Sequence, residues 1–128
     1  MTDTLTAAAF LRATATNRPA ADPPGEDAGE YFAAAFRLAV GLRFRPDVPL
    51  PVIAGTVRTA AQRHQGLVPV REAEMLIREA LGETVPTAEI ATADAVTVHV
   101  LMFAALVEEL ALTDAELDEL ITQAGVRP

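Results

Sequence analysis

Between Ala91 and Leu112 the chain reads Ala-Thr-Ala-Asp-Ala-Val-Thr-Val-His-Val-Leu-Met-Phe-Ala-Ala-Leu-Val-Glu-Glu-Leu-Ala-Leu, and from Val96 to Val107 only Thr97 and His99 are strongly polar. A helix that is apolar nearly all round must be covered on several sides. The other segments are therefore expected to pack around this one. At about 100° per residue, Val96, His99, Phe103, Leu106 and Leu110 form its deepest face, and Asp94, Thr97 and Glu108 mark the wetter side. Its start falls at Thr87 or Thr92, and its end near Ala111. Val96 to Val100 alternates β-branched residues in the manner of a strand, but the unbroken run through Leu110 favours helix.

The segments on either side carry helix signals of their own. Thr113-Asp114-Ala115-Glu116 fits a capping box, with Leu112 and Leu117 as its hydrophobic staple and Gly125 as the stop. Leu117, Leu120, Ile121 and Ala124 are then the inward face. Glu30 to Phe44 predicts a helix that buries Tyr31, Phe32, Ala35, Phe36, Leu38, Ala39 and Leu42. Arg37 and Gly41 lie on its opposite side, and Arg43 and Arg45 stand at its negative end. Pro51 to Gln65 predicts another, with Ile53, Val57, Ala60 and His64 on one face and Gly66 as terminator. Val70 to Leu81 is the next, with Ala73, Leu76, Ile77, Ala80 and Leu81 inward, an i,i+4 pair of Glu74 and Arg78, and Gly82 as the stop. Residues 4–17 read as a first helix, capped by Thr2 or Asp3, with Leu5, Ala8, Ala9 and Leu11 as a weak apolar stripe. The expected fold class is all-α: a single-domain bundle of five or six helices around the central apolar helix at about 91–112. Residues 1–28 are read as an N-terminal helix and a proline-rich linker, the most mobile connection of the chain, and 29–128 as the helical core.

Composition narrows the chemistry. The chain has 128 residues, enough for one self-sufficient core. It has no Cys, no Ser and no Lys. Disulfides, thiolate metal sites, serine and cysteine nucleophiles, phosphate-loop lysines and Schiff bases are thereby excluded. No glycine-rich phosphate loop, H-E-x-x-H or Glu-x-x-His spacing is present, and no calcium loop adjoins the acidic last helix. No cofactor or metal is therefore expected. The net charge is −8; residues 1–60 carry six acids and six arginines, and residues 61–128 carry twelve acids and four arginines. An acidic surface disfavours nucleic acid and anionic membrane as partners. No signal peptide or membrane span is legible, and the cysteine-free composition suits a cytoplasmic protein.

Three functional readings follow. The leading one is a non-enzymatic protein–protein interaction module, a small adaptor, regulatory or neutralising subunit that self-associates as a homodimer. It rests on missing catalytic motifs and on more apolar faces than short helices need among themselves. Arg37, Arg43 and Arg45, with Arg58 and Arg63 nearby in sequence, are the one concentration of positive charge and the candidate contacts to an acidic partner. The acids Glu108, Glu109, Glu116, Asp118 and Glu119 read as a solvated face. The second reading is a small-molecule or catalytic pocket centred on His99, with Tyr31, and Glu30 beside it, as conceivable partners; its structural counterpart is a core histidine bonded to a carbonyl, hydroxyl or carboxylate. His64 reads as a helix C-terminal histidine. The third is a helix-turn-helix regulator built from residues 52–81, against which stands the acidity of Val70–Leu81; an ordinary αα-hairpin fits that segment better.

Overall fold

The computed structural model describes residues 2–15 and 28–125. Among these the chain is all-helical, with no strand. The helices are α1 (Thr2–Ala15), α2 (Ala28–Arg43), α3 (Leu50–Arg63), α4 (Val70–Ala80), α5 (Thr92–Leu110) and α6 (Asp114–Gly125). Prolines 19, 23 and 24 of the expected linker fall outside the described residues. No helix among the described residues is long and apolar enough to cross a membrane.

Helix α5 packs against α1, α2, α3 and α4, as its composition demands. It shares the centre with α2, which touches α5, α6, α1 and α4. The expected single deep face holds for only part of its length. From Met102 to Val107 six consecutive residues are buried, so this half is enclosed on every side. In the N-terminal half Val98 and Val100 are buried, whereas Val96 and His99 are only partly covered. Periodicity ranked His99 and Val96 deep, yet at this turn Val98 and Val100, which flank His99 in sequence, are covered more completely.

Helix α2 contributes Tyr31, Phe32, Ala35, Phe36, Ala39 and Val40 to the core. Leu42, assigned to the same face by its spacing, is instead 59% exposed. The reason lies in how α6 meets α2. The Tyr31 hydroxyl, near the start of α2, donates to the Ile121 carbonyl, near the end of α6, at 2.6 Å. The two helices thus run antiparallel, and Leu42 stands at a groove between the end of α2 and α6. Helix α1 joins this layer through fully buried Leu11, the Phe10–Phe32 ring contact at 5.7 Å and the Arg12–Asp118 ion pair.

The chain between helices follows local rules. Thr87, one of the two candidate starts for α5, opens a separate 3₁₀ turn (Thr87–Glu89), and Thr92, the other, is the first residue of α5. The capping box is formed: the Thr113 N–H donates to Glu116 Oε1 at 2.9 Å, and the Glu116 N–H donates to Thr113 Oγ1 at 3.1 Å. Leu112 packs against the core cluster to which buried Leu117 belongs. Helices α3, α4 and α5 each end in paired 6→1 and 5→2 hydrogen bonds. In α4 the left-handed position is Gly82, at φ 100°. In α5 it is Ala111, at φ 52°, and in α3 it is Gln65, at φ 55°, followed by Gly66 at φ 80°. A side chain in that region costs about 1 kcal/mol. Ala111→Gly is therefore expected to stabilise the chain by about 0.5–1 kcal/mol, and Gly82→Ala to destabilise it by about 1 kcal/mol. Urea midpoints of the two variants, moving in opposite directions, check the assignment.

Candidate functional site

His99 lies where α5, α2 and α4 converge. Its ring is 5.0 Å from the Phe36 ring, tilted by 45°. Arg37 of α2 and Glu79 of α4 are the charged groups that face it. Burial, with the nearby Arg37 charge, lowers its pKa to about 4, and Glu79 opposes that shift. The imidazole is therefore neutral at pH 7. Its Nδ1 is buried and has no hydrogen-bond partner among the described residues.

A general base needs a group to orient it and a nucleophile to activate. Neither Glu79 nor Tyr31 supplies the orienting bond. Glu79 Oε1 accepts from Arg37 at 3.4 Å, and its Oε2 accepts from the Thr87 hydroxyl. Tyr31, expected as a companion of His99, spends its hydroxyl on Ile121. Burial raises its pKa while Arg12 opposes, so the phenol stays a neutral donor that ties α2 to α6. His64 ends α3 as expected; its own pKa is lowered by burial and then by Arg63, and its buried Nε2 is unpartnered. No group of three or more His, Cys, Asp or Glu residues among the described residues is placed to hold a metal.

The arginines proposed for an acidic partner are mostly engaged within the chain. Arg37 pairs with Glu79 at 3.4 Å and Arg43 with Glu109 at 2.7 Å, leaving Arg45 exposed without a partner among the described residues. Glu109 also accepts from the Thr56 hydroxyl at 3.4 Å, and Arg63 pairs with Glu108. Glu108 and Glu109, read from sequence as a solvated face, thus tie the end of α5 to α2 and α3. Two carboxylates at the negative end of a helix are unfavourable alone, and Arg43 and Arg63 offset them. Arg78 does not pair with Glu74, four residues before it; it forks onto Glu83 at 3.0 and 3.2 Å, in the turn that Gly82 reverses.

Two surface grooves are more open to a partner than His99, and neither is lined by His99 or Tyr31. One, of ≈ 520 Å³, runs between α3 and α4 and is lined by Ala54, Arg58, Ala61, Val70 and Glu74 among others. The other, of ≈ 450 Å³, lies between the end of α2 and α6 and is lined by Leu42, Leu112, Ala115, Glu116, Glu119 and Leu120 among others. Leu50, Val52, Leu67 and Val70 are also 40–69% exposed. The reading of periodicity missed this aliphatic surface, although Leu67-Val68-Pro69-Val70, a run of four apolar residues across a turn, carried the signal. No family model matches the chain, and no curated protein or solved structure matches it either.

Two outcomes follow from this geometry. Tyr31→Phe removes one buried hydrogen bond and is expected to lower stability by about 1 kcal/mol, read from the denaturation midpoint. The pH dependence comes from His99. Because its folded pKa lies below the unfolded value, its contribution is fully present above about pH 6.5 and is lost as the pH falls toward 4, up to about 3 kcal/mol in all. His99→Phe is expected to flatten the stability profile in that window, leaving the smaller share of His64. Denaturation curves at about pH 7, about pH 5.5 and about pH 4.5, which bracket the unfolded and approach the folded pKa, give the comparison.

Proposed function

We propose that this chain is a non-enzymatic protein-interaction module that pairs with a second copy of itself through the α3–α4 face. The observation that carries the reading is the aliphatic surface of that hairpin. Leu50 at 55%, Leu67 at 69% and Val70 at 44% are exposed around a groove that already has an apolar floor of alanines. On α3, Leu50, Ala54 and Ala61 lie within about 40° of one another, so they form one stripe. The buried core is filled from the adjoining faces of the same helices by Ile53, Val57, Ala60, Ala73, Leu76 and Ile77, and the exposed Leu50, Leu67 and Val70 are not part of it.

Charge supports a second copy as the occupant. The groove holds one cation, Arg58, and one anion, Glu74, neither of which has a hydrogen bond or ion pair among the described residues. In a twofold contact a patch meets itself. A patch with one charge of each sign is self-complementary, since Arg58 of either copy meets Glu74 of the other. The antiparallel hairpin then brings the Leu50 end of one copy to the Leu67 and Val70 end of its partner.

Sedimentation equilibrium of the full chain is the test. A dimer is expected, weakened at least about tenfold by Val70→Asp. Arg58→Glu and Glu74→Arg should each weaken it, and the double reversal should restore it, because both contacts cross the interface. A wild-type chain that stays monomeric at about 100 μM, a concentration well above that of a specific micromolar dimer, overturns the reading.

The ligand-pocket alternative at His99 has one observation in its favour, the buried Nδ1 without a partner. A small-molecule ligand that loses affinity on His99→Ala would support it. The helix-turn-helix alternative has less support. Helix α4 carries Glu72, Glu74 and Glu79 against Arg71 and Arg78, and Arg78 is engaged by Glu83. Nucleic acid is an unfavourable partner for such a helix.

A further inference from the structure

The groove between α2 and α6 differs from the α3–α4 groove in its charge. Its walls are Leu42, 59% exposed, and the α6 side chains Ala115 and Leu120, with Leu112 at the entry to α6. Its rim is Glu116 and Glu119, and α6 carries Asp114 and Asp118 besides, with no basic residue from Asp114 to Gly125. Asp118 is paired with Arg12, and Glu116 accepts the Thr113 N–H with one oxygen. Among the described residues Glu119 has only a long 3.4 Å contact from Gln123.

We infer that this groove docks a cationic amphipathic helix of a partner protein. Small or branched apolar side chains of that helix would sit between Leu42 and Leu120, and its flanking arginines or lysines would meet Glu116 and Glu119. Three features point to this occupant. The groove runs along α6 from Leu112 to Gln123 against the end of α2, an elongated apolar floor of the kind an added helix fills. The exposed leucine is the kind of side chain that such a helix buries. The rim is of one sign, so a second copy in a twofold contact would set glutamates against glutamates and be repelled. The same rim attracts a basic segment, with screening by salt as its signature. This surface is separate from the α3–α4 face, and its test does not depend on self-association.

The probe is a labelled model helix of about 15 residues, long enough to span α6, with leucines at helical spacing and arginines elsewhere. It is titrated into the full chain by fluorescence anisotropy. Two control peptides have the same composition with the leucines scrambled around the helix, and the same pattern with glutamate for arginine. Saturable binding of the arginine helix alone is expected, weakening at least about tenfold between about 50 and about 300 mM salt. Leu42→Asp and Glu119→Arg are both exposed changes and should each weaken it at least about tenfold, while circular dichroism shows both variants folded. Ala115→Arg, which fills the groove, should do the same. Absence of binding overturns the proposal, as does equal binding of the scrambled or glutamate peptide, or binding untouched by all three variants. If Leu42→Asp dissociates the chain from its own copies instead, the groove belongs to self-association and the inference fails.

Discussion

The structure depends on the contact between α2 and α5. Helix α5 buries six consecutive residues, Met102 to Val107, which no single neighbour could cover. Helix α2 takes the largest share, with Phe36 and Val40 fully buried alongside Phe103 and Leu106. The remaining helices are placed by what this pair leaves uncovered. Helix α1 closes one side through Leu11. The α3–α4 hairpin closes another through Ile53, Val57 and Ile77. Helix α6 packs on α2 and α1 through Leu117, Leu120, Ile121 and Ala124. Full burial of a Phe or Leu stabilises by about 1.5–3 kcal/mol each, while an exposed ion pair such as Arg12–Asp118 contributes about 0–1 kcal/mol. The apolar pair sets the architecture, and the ion pairs at its edges select among orientations that it already permits.

The polar groups that do matter structurally stand where helices end. Glu108 and Glu109 gather Arg63, Arg43 and Thr56 at the end of α5, so three helices are registered at one point. Glu79 performs a similar office for α2 and the 3₁₀ turn through Arg37 and Thr87. Tyr31 reaches from α2 to the Ile121 carbonyl. Most of these bonds span more than forty residues of sequence and were invisible to a reading based on i,i+4 spacing. That reading favoured Glu74 with Arg78 and overlooked Arg78 with Glu83, which lies just past the end of α4 where the i,i+4 rule no longer applies.

Local signals were legible, and distant ones were not. The capping box at Thr113 and Glu116 and the reversal at Gly82 depend on a handful of adjacent residues and are realised as read. Thr87 and Thr92 are both starts, the first of a 3₁₀ turn and the second of α5, each as the first residue of its element with Pro86 and Ala91 at the cap positions. Leu42 shows the limit. Its angle on α2 puts it with Ala35 and Ala39, yet it stands 59% exposed at a groove between α2 and α6. Sequence periodicity gives the direction of a side chain and is silent on where its neighbour stops. The same gap separates the two candidate sites: His99 was legible as the odd residue of the hub, whereas the grooves depend on the mutual placement of α3 with α4 and α2 with α6.

His99 and the grooves also differ in what their physics permits. Burial and Arg37 hold the imidazole neutral, and the one nearby carboxylate is already bonded on both oxygens. A proton placed there would be costly and unguided, so reactivity at His99 would need a ligand to bring the missing partner. The grooves need nothing supplied beyond a surface of matching shape and charge. Their electrostatics divide the possible occupants, since a groove with one charge of each sign fits its own twofold image, and a groove rimmed by glutamates alone does not. Four of the acids, Asp114, Glu116, Asp118 and Glu119, lie on α6 close to exposed Leu42, and under the proposed docking they would discriminate between a copy of the chain and a basic partner.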